Sequence, residues 1–515
     1  MSAPWWRGGV VYQIYPRSFL DTDGDGVGDL EGIRRRLDYL AWLGVDAIWL
    51  SPVFRSPMKD FGYDVADYRD VDPLFGTLAD LDRLVADAHA RDLRVLLDWV
   101  PNHTSDRHPW FVESRRARSS PKRGWYVWRD PAPGGGPPNN WTAAFGHGAP
   151  AWTFDAATGQ YYLHQFLPEQ PDLDWSNPEV AAAMQDVLRF WLDRGIDGFR
   201  VDVIHGIGKD PALPDEPPGH AGIPHCVLNE HPSTHAHLRA IRRLVDAYPG
   251  DRMLVGEVFQ LFSPVHERYF GQNDELHLVF ELPASVAVPW EAAAWRERIA
   301  SVAARLDPID AWPTWVLSNH DTSRHRSRFG SEARARAAAL LLLTLRGTPF
   351  LYAGEELGLE DAVVPRARRV DPGDRDGCRA PIPWDGSPTH GWPTADTWLP
   401  WPPDAADRNV ERLRADPTSM LHLYRRLLAA RRASPALATG TIVLCDAPEP
   451  VVAFERHAGD ARWRVLVNFT AAPVTCDGGG TVVVASDGVG EERPFDGVLR
   501  PDQAVLLRTP ARDPD

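Results

Sequence analysis

The stretch LADLDRLVADAHARDLRVLLDWVPNH, residues 78–103, contains the unit from which the fold can be predicted. Residues 78–92 have the apolar spacing of an amphipathic helix, and residues 93–103 form an apolar run that ends in polar and charged side chains. A helix followed by such a run is typical of a buried strand in a parallel sheet, because both faces of that strand are covered.

The same unit recurs along most of the chain. Residues 30–44 place apolar side chains at helical spacing and lead into AIWLSP, residues 47–52. Further units cover residues 178–206, 234–259, 295–321 and 331–358, and two more apolar runs lie at 10–19 and 275–283. Eight strands alternating with helices predict an α/β fold, a closed (β/α)8 TIM barrel rather than an open doubly wound sheet. The open sheet would normally carry a nucleotide-binding G-x-G-x-x-G, whereas residues 24–28 read G-x-G-x-G.

Two regions interrupt this rhythm. Residues 104–171 are rich in proline, glycine and aromatic side chains without helical periodicity, which predicts an inserted subdomain after the third strand. From residue 434 onward, short alternating runs such as RWRVLVNFT predict a C-terminal antiparallel β-sandwich domain. The expected organisation is a barrel built from residues 1–103 and 172–433, an insertion at 104–171 and a β domain at 434–515.

The composition excludes several classes of protein. The 515 residues include 55 Lys and Arg against 71 Asp and Glu, a net charge of −16, which argues against nucleic acid or an anionic membrane as the partner. No run approaches the ~20 apolar residues of a membrane span, and the first residues lack a signal-peptide pattern. The 4 cysteines are scattered without a C-x-x-C pair, which fits a reducing cytoplasm and provides no zinc or disulfide framework. We expect a cytoplasmic protein, monomeric or weakly homo-oligomeric.

Polar residues gather at the predicted carboxyl ends of the strands, where barrels of this type place the active site. They are Asp98 and His103 after the third strand, Arg200 and Asp202 on the fourth, Glu257 on the fifth, and His320 with Asp321 on the seventh. Several carboxylates, an arginine and two histidines would then face one opening.

Two carboxylates on adjacent strands suit the cleavage of a glycosidic bond. One must stay ionised to attack or stabilise the anomeric carbon, and the other must carry a proton for the leaving oxygen. Arg200 lies two residues before Asp202 and should project from the same strand face, where its charge would lower the carboxyl pKa and favour Asp202 as the nucleophile. Glu257, close to the like charge of Asp321, should favour its protonated form and serve as the general acid.

Six blocks stand in order along the chain: FGYDVADY at 61–68, DWVPNH at 98–103, QPDLDW at 170–175, GFRVDV at 198–203, GEVF at 256–259 and SNHD at 318–321. In this order they resemble the α-amylase family of retaining glycoside hydrolases, and more closely its α-glucosidase and oligo-1,6-glucosidase branch. The resemblance covers the barrel, the insertion and the C-terminal domain. It implies an exo-acting α-glucosidase that releases glucose from the non-reducing end of oligosaccharides or disaccharides, without an organic cofactor.

The resemblance also implies roles for matching positions. Asp202 matches the nucleophile, Glu257 the general acid/base, and Asp321 the carboxylate that holds sugar hydroxyls at the transition state. The other matches are His103, Arg200 and His320 for hydroxyl binding and carboxylate orientation, Asp64 with Arg379 as the pair that closes the first glucose pocket, Tyr63 for stacking on that glucose or for core packing, and Phe166 for the aglycone side. Asp98 is expected to support His103 rather than to touch sugar.

The acidic loop DTDGDGVGDL, residues 21–30, looks like a calcium loop. It is not an EF-hand, because the twelfth position is Gly32, where a bidentate glutamate is required. Related α-glucosidases hold a structural calcium in a similar loop, so the resemblance implies Ca²⁺, or Mg²⁺, bound by Asp21, Asp23, Asp25, Asp29 and the carbonyl of Val27. A metal-free acidic turn is the alternative, since Asp and Gly readily build turns.

Two other classes of enzyme and one non-enzymatic class are alternatives to a glycoside hydrolase. His231, His235 and His237 could form a zinc site of a metal-dependent barrel hydrolase, although they open a helix instead of ending strands. The chain contains no G-x-S-x-G of a serine hydrolase. A catalytically inactive barrel that serves as a binding subunit is the non-enzymatic alternative, against which stand the three catalytic carboxylates.

Alternatives also remain within the family. Val203, directly after Asp202, resembles the residue of members that act on α-1,6 linkages, whereas the following IHGIGKDP departs from the commonest oligo-1,6-glucosidase pattern. Transglucosidases, trehalose synthases and sucrose isomerases use the same catalytic residues. They differ in how water is kept from the glucosyl-enzyme.

Overall fold

The computed structural model describes residues 3–260, 266–280 and 286–509. Its centre is a sheet of eight parallel strands, here numbered 1 to 8 along the chain. The strands are Val11–Ile14, Ala47–Leu50, Arg94–Trp99, Gly198–Val201, Met253–Glu257, Leu278–Phe280, Thr314–Val316 and Thr348–Tyr352. Each of them lies in an apolar run of the sequence that predicts a strand.

The strands form a nearly closed barrel. Strands 1 to 5 each pair with the next in the chain, strand 1 pairs with strand 8, and strand 8 pairs with strand 7. Strands 6 and 7 adjoin each other, although no hydrogen-bonded ladder joins them within the described residues. The pairing of strands 3 and 4 sets Asp98 opposite Arg200. The predicted (β/α)8 barrel is therefore confirmed.

Helices cover the outside of the barrel. The longer ones are Leu37–Leu43, Leu78–His89, Pro178–Asp193, Ser233–Asp246, Ala292–Leu306, Glu332–Thr344 and Met420–Ala433, and the short helix Leu30–Arg35 precedes the first of them. Their ends follow local sequence signals. At Leu78–His89, Thr77 and Asp80 form a reciprocal capping box, and Leu81, Leu84 and Val85 are buried on one side. Shorter helices lie at Trp5–Gly8, Pro109–Ser114, His325–Phe329, Val410–Ala415 and Pro435–Thr439.

Side chains alternate along the barrel strands, and this alternation builds the site. One buried cluster contains Val11, Ala47, Leu96, Val255 and Phe350, which share one face of the sheet. Because side chains two residues apart on a strand point to the same face, that face next carries Gln13, Trp49, Asp98 and Glu257. The apolar interior of the barrel thus ends in a polar layer at the carboxyl ends of the strands, as the family of barrel folds requires.

The insertion after strand 3 contains a small antiparallel sheet. Its strands are Trp128–Arg129, Trp152–Asp155 and Gln160–Leu163, with the last in the middle. An isolated bridge pairs His103 with Asp172, so the chain leaves and re-enters the barrel side by side. A further two-stranded ribbon, Phe54–Arg55 with Asp67–Val71, follows strand 2.

The C-terminal part is antiparallel, as predicted. A five-stranded sheet has the order Thr441–Cys445, Val451–Ala458, Ala461–Asn468, Ala504–Arg508 and Thr481–Ala485. Val474–Thr475 and Val498–Leu499 form a second, two-stranded sheet.

In the part of the chain that the structure describes, no helix is both long enough and apolar enough to traverse a lipid bilayer. The four cysteines carry free thiols.

Candidate active site

One arginine gathers three carboxylates at the mouth of the barrel. Arg200, on strand 4, is buried, and its Nη1 donates to Asp98 Oδ1 at 2.7 Å and to Asp202 Oδ1 at 2.8 Å. Its Nη2 donates to Glu257 Oε2 at 2.6 Å. The three carboxylates come from the ends of strands 3, 4 and 5, so the predicted convergence of Asp202, Glu257 and Arg200 is what the structure shows.

The two predicted reacting carboxylates each keep one oxygen for a substrate. Asp202 Oδ1 and Glu257 Oε2 accept hydrogen bonds from the two terminal nitrogens of the same guanidinium. The two carboxylates are therefore neighbours on either side of Arg200. Asp202 Oδ2 and Glu257 Oε1 accept no hydrogen bond from the described residues. A second donor reaches Glu257, since the backbone N–H of Val203 lies 3.3 Å from Oε2. Val203 has φ +40°, a left-handed conformation that is strained for a β-branched residue and typical of functional sites.

The protonation of this cluster differs from the sequence-based expectation. We expected Arg200 to lower the pKa of Asp202, but burial raises that pKa well above its ordinary value, with Arg200 opposing. Burial likewise raises the pKa of Asp98 to about 6, against the effect of Arg200. The physical reason is that one guanidinium serves three buried carboxylates. Full ionisation would leave uncompensated negative charge in a buried site, which favours the protonated forms of Asp98 and Asp202.

Asp321, after strand 7, lies in the opposite electrostatic setting. Its Oδ1 accepts from Arg375 Nη1 at 2.9 Å and from Arg379 Nη2 at 3.1 Å, and His320 Nε2 lies 3.3 Å from Oδ2. Burial opposes ionisation, but the histidine and the two guanidinium groups outweigh it and hold the pKa of Asp321 well below its usual range. Asp321 is therefore a stable anion beside the proton-holding cluster.

A buried hydrogen-bonded chain connects the two halves of the site. The amide Nε2 of Gln13 lies 2.7 Å from His320 Nδ1, so Nδ1 accepts and the proton is on Nε2. That nitrogen lies 2.6 Å from the hydroxyl of Tyr63, which in turn donates to Asp98 Oδ2 at 2.9 Å. Burial lowers the pKa of His320 to about 3, so the ring is neutral. Tyr63 also stacks on His320 with ring centroids 5.5 Å apart.

His103 and Phe166 lie together on the side of the insertion. Burial lowers the pKa of His103 to about 4, and its Nε2 lies 3.1 Å from the amide of Gln170. The ring of Phe166 is 5.2 Å from that of His103. The prediction that Asp98 supports His103 is wrong, because Asp98 instead binds Arg200, Tyr63 and Trp49.

The predicted pair of Asp64 and Arg379 does not form. Asp64 is fully buried, and its carboxylate accepts from the hydroxyl of Ser56 and from two backbone N–H groups of its own loop at 2.9–3.0 Å. The acidic residue that meets an arginine is Asp60, whose Oδ1 accepts from Arg375 Nη2 at 2.7 Å. Asp60 lies four positions before Asp64, and Arg375 lies four positions before Arg379. Which aspartate pairs with which arginine is decided by the conformation of the two loops.

Residues 13–440 match the family model described as the catalytic domain of alpha-amylase. The chain belongs to the alpha-amylase family. Among curated relatives, it is 43% identical over 510 residues to a probable alpha-glucosidase of Rhizobium meliloti strain 1021, covering 92% of this chain and 90% of the relative. It is 37% identical over 519 residues to an oligo-1,6-glucosidase of Parageobacillus thermoglucosidasius, with 91% of each chain covered.

Crystal structures of family enzymes superpose closely on this alpha-amylase family chain. XgtA, an alpha-glucosyl transfer enzyme, gives a TM-score of 0.91 at 42% identity and covers 98% of this chain and 100% of its own. The trehalulose synthase MutB of Pseudomonas mesoacidophila MX-45 gives a TM-score of 0.92 at 34% identity, covering 99% and 100%. MutB variants have been crystallised with sucrose and with isomaltulose.

The acidic loop of this family member brings three of the predicted metal ligands together. Carboxylate oxygens of Asp21, Asp23 and Asp29 lie within 4.8 Å of one another. Asp25 is not in this group, and its Oδ1 accepts from the backbone N–H of Val27 at 2.8 Å. Asp29 also caps the helix Leu30–Arg35. Three converging hard oxygen donors fit calcium or magnesium.

His231, His235 and His237, the alternative zinc ligands, do not converge. They have separate neighbours, which are Ser233 for His231, Glu275 for His235 and the ring of Trp175 for His237. Among the described residues they form no metal-ligand group. The metal-dependent hydrolase alternative therefore has no support at this position.

Proposed function

We propose that the protein is a retaining α-glucosidase that releases glucose from the non-reducing end of short α-glucosides. The observation that carries the proposal is the set of three carboxylates held by Arg200, in which Asp202 Oδ2 and Glu257 Oε1 accept no hydrogen bond from the described residues. The relatives named alpha-glucosidase and oligo-1,6-glucosidase support the same reading.

The first half-reaction breaks the glycosidic bond. Asp202 attacks the anomeric carbon and forms a glucosyl ester, while Glu257 transfers a proton to the departing glycosidic oxygen. Arg200 fixes both carboxylates during this step. Asp321, a permanent anion, holds hydroxyls of the glucosyl ring as positive charge develops at the anomeric carbon.

The second half-reaction restores the enzyme. Glu257, now ionised, removes a proton from a water molecule, whose oxygen attacks the anomeric carbon and releases Asp202. Two inversions at that carbon give net retention. The ion pair of Asp60 with Arg375 provides a wall behind Asp321, which supports action at a chain end rather than within a chain.

The activity is tested with p-nitrophenyl α-glucoside. The parent enzyme should release p-nitrophenol, and Asp202→Asn should lose roughly 10³-fold or more in kcat, since a nucleophile has no substitute in the site. Asp186→Asn, an exposed carboxylate paired with Arg189, serves as the matched control and should retain full activity. An inactive parent enzyme, or an active Asp202→Asn variant, would refute the proposal.

A glucosyl-transferring or isomerising activity is the second candidate. It is favoured by the similarity to XgtA and to trehalulose synthase. The product profile on isomaltose, maltose, sucrose and trehalose distinguishes the two. Glucose as the main product supports hydrolysis, and Val203 leads us to propose that isomaltose is the preferred disaccharide. Trehalose formed from maltose, or isomeric disaccharides formed from sucrose, would assign the protein to the second candidate.

We also propose that the acidic loop binds a structural divalent cation, Ca²⁺ in preference to Mg²⁺. Asp21, Asp23 and Asp29 would hold it, and it would rigidify the loop after strand 1. Calcium should raise the Tm of the EDTA-treated protein, and Asp23→Asn should abolish the increase. Asp67→Asn, an exposed change elsewhere, should keep it. Equal Tm values with calcium and with EDTA would contradict the proposal.

We further propose that the protein acts in the reducing cytoplasm as a monomer or weak homo-oligomer. Support for the compartment comes from Cys226 and Cys378, which are buried free thiols. Cell fractionation and light scattering of the purified protein test the two statements. Recovery outside the cytoplasm or a tight oligomer at nanomolar concentration would contradict them.

A further inference from the structure

A buried carboxylate lies behind the arginines that bind Asp321. Asp371 is on the loop between the turns Arg366–Arg368 and Asp376–Arg379, and its side chain has no exposed surface. It is not part of the reacting set, and it lies outside the sequence blocks that resemble the family. Its carboxylate is nevertheless extensively hydrogen-bonded.

Five hydrogen bonds hold the Asp371 carboxylate. Oδ1 accepts from Arg375 Nη2 at 2.7 Å and from Arg379 Nη1 at 3.1 Å. Oδ2 accepts from Arg375 Nε at 2.9 Å and from the backbone N–H groups of Arg375 and Gly373 at 2.8 and 2.9 Å. Three of the five bonds are to guanidinium groups, and such charge-assisted bonds are roughly twice as strong as neutral ones.

The same two arginines also donate hydrogen bonds to Asp321 and to the backbone of His320. Arg375 Nη1 and Arg379 Nη2 both donate to Asp321 Oδ1, and Arg379 Nε donates to the carbonyl of His320 at 2.7 Å. Each guanidinium is thus held between Asp371 on one side and Asp321 on the other. Rotation of either arginine away from Asp371 would move the donor that fixes Asp321.

Electrostatics require a carboxylate at this position. Arg375 and Arg379 are close enough to disfavour each other's charge, and Asp321 and Asp371 are the carboxylates that both of them bind. Burial opposes ionisation of Asp371, but hydrogen bonds and charge from the two arginines hold its pKa below the ordinary value. Without Asp371, Arg379 would keep Asp321 and Arg375 would keep Asp321 and Asp60 as their carboxylate partners among the described residues.

We propose that Asp371 is a positioning residue that orients Arg375 and Arg379 and thereby fixes Asp321 against the glucosyl ring. The inference rests on the proposed function and adds to it a residue that acts through two others. Asp371 also shapes its own turn through two backbone bonds, so the experiment must separate positioning from folding of the loop.

The primary comparison is Asp371→Asn with Asp374→Asn. Asp374 is on the same loop, is mostly exposed and pairs with Arg369, and asparagine tolerates its left-handed backbone, so both variants remove one charge from one loop. With p-nitrophenyl α-glucoside, Asp371→Asn should lose roughly 10- to 100-fold in kcat/KM, mostly in kcat, as expected for a misplaced transition-state contact. Asp374→Asn should remain within about twofold of the parent, and the Tm of the two variants should agree.

Chemical rescue distinguishes positioning of the arginines from a purely structural role of Asp371. Added carboxylate should restore activity only if Asp371 acts by binding the two arginines. Asp371→Ala leaves a space between two guanidinium groups that a formate anion fits. Sodium formate should restore activity to Asp371→Ala about tenfold relative to sodium chloride at equal ionic strength. Asp374→Asn and the parent enzyme should not respond to formate.

The outcomes are distinguishable. If the parent enzyme and Asp374→Asn do not cleave the substrate, the proposed function fails. If they do and Asp371→Asn is within twofold of Asp374→Asn, the positioning role is refuted. An inactive Asp371→Ala that formate does not restore assigns Asp371 to the folding of its loop and equally refutes the role.

Discussion

Replacing Arg200 with methionine tests the central feature of the site. Methionine retains an apolar stem but removes the guanidinium that donates to Asp98, Asp202 and Glu257 at 2.6–2.8 Å. Three buried carboxylates then lose their shared cation. The expected response is a loss of stability that depends on pH, together with a loss of turnover.

The size of the stability loss follows from the three bonds. Hydrogen bonds to charged groups contribute roughly 1.5–3 kcal/mol each. Part of this loss is offset because the carboxylates bind protons, so the net effect should be the roughly 3–5 kcal/mol seen when a buried ion pair loses one partner. At about 2 cal/mol/K of unfolding entropy per residue, a chain of this length shifts its Tm by about 1 °C per kcal/mol. The Tm of Arg200→Met should fall by about 3–5 °C at neutral pH.

The pH dependence has a definite sign. A carboxyl whose pKa is raised in the folded state binds protons more tightly there than in the unfolded chain. Its stabilising contribution is complete below the unfolded pKa near 4 and is lost as the pH rises through the folded value. Asp98 already has a pKa of about 6 and that of Asp202 is raised, and loss of the guanidinium raises both further. The Tm deficit of Arg200→Met should therefore be larger at pH 8 than at pH 5.

Thermal unfolding at the two pH values and steady-state kinetics complete this experiment. Turnover of p-nitrophenyl α-glucoside should fall roughly 10²–10³-fold, because Asp202 becomes protonated and Glu257 loses its anchor. Arg189→Met removes an exposed cation paired with Asp186 and should change Tm by less than about 0.5 °C. A Tm deficit that is absent, or larger at pH 5 than at pH 8, would refute the reasoning.

Three further predictions concern the proton donor, the stereochemistry of the reaction and a buried arginine outside the active site. Glu257→Gln should lower turnover of isomaltose roughly 10²–10⁴-fold while leaving the fold intact, because the glycosidic oxygen then lacks a proton donor; full activity of this variant would show that the donor is misassigned. NMR of the hydrolysis should show the α-anomer of glucose first, and initial release of the β-anomer would contradict a double displacement. Arg456→Met should destabilise the protein by roughly 2–4 kcal/mol in urea unfolding. Arg456 donates buried hydrogen bonds to the carbonyls of Thr344 and Gly440 at 2.6 and 3.0 Å and a partly buried one to the carbonyl of Thr441 at 3.2 Å. A change below about 1 kcal/mol would show that these acceptors do not need the guanidinium.

The strands and the reacting residues could be predicted because they depend on local pattern. Apolar runs such as residues 93–97 are strands whatever they pair with, and in a parallel barrel their ends meet at one rim. Asp202 and Glu257 can therefore be identified from their positions at the strand ends without knowledge of their partners. Arg200 was correctly placed on the same face as Asp202 because a strand alternates its side chains.

The errors concern side-chain partners, which depend on register and loop conformation. Asp98 faces Arg200 because strands 3 and 4 pair these two positions, and the sequence does not state that register. Asp60 and Asp64 lie in one loop, yet only Asp60 faces an arginine, because Asp64 is used to accept the backbone N–H groups of its own turn. The sequence alone does not distinguish two such aspartates, because they differ only in the direction in which the folded loop points their side chains.

The wrong sign for Asp202 has a related cause, and it clarifies how the site divides its charge. The prediction considered Arg200 and Asp202 alone. It left out burial, which is the largest cause of the raised pKa of Asp202, and the two other carboxylates that share the guanidinium. Asp321, by contrast, is bound by two guanidinium groups. The ratio of cations to carboxylates therefore differs across one pocket. Protonation is favoured at Asp98 and Asp202 and disfavoured at Asp321, where a proton would weaken the hold on the sugar hydroxyls. The number of arginines bound by each carboxylate therefore decides whether that carboxylate tends to hold a proton or to remain an anion. This number is set only in the folded protein, where the strand ends and the loop around Asp371 come together.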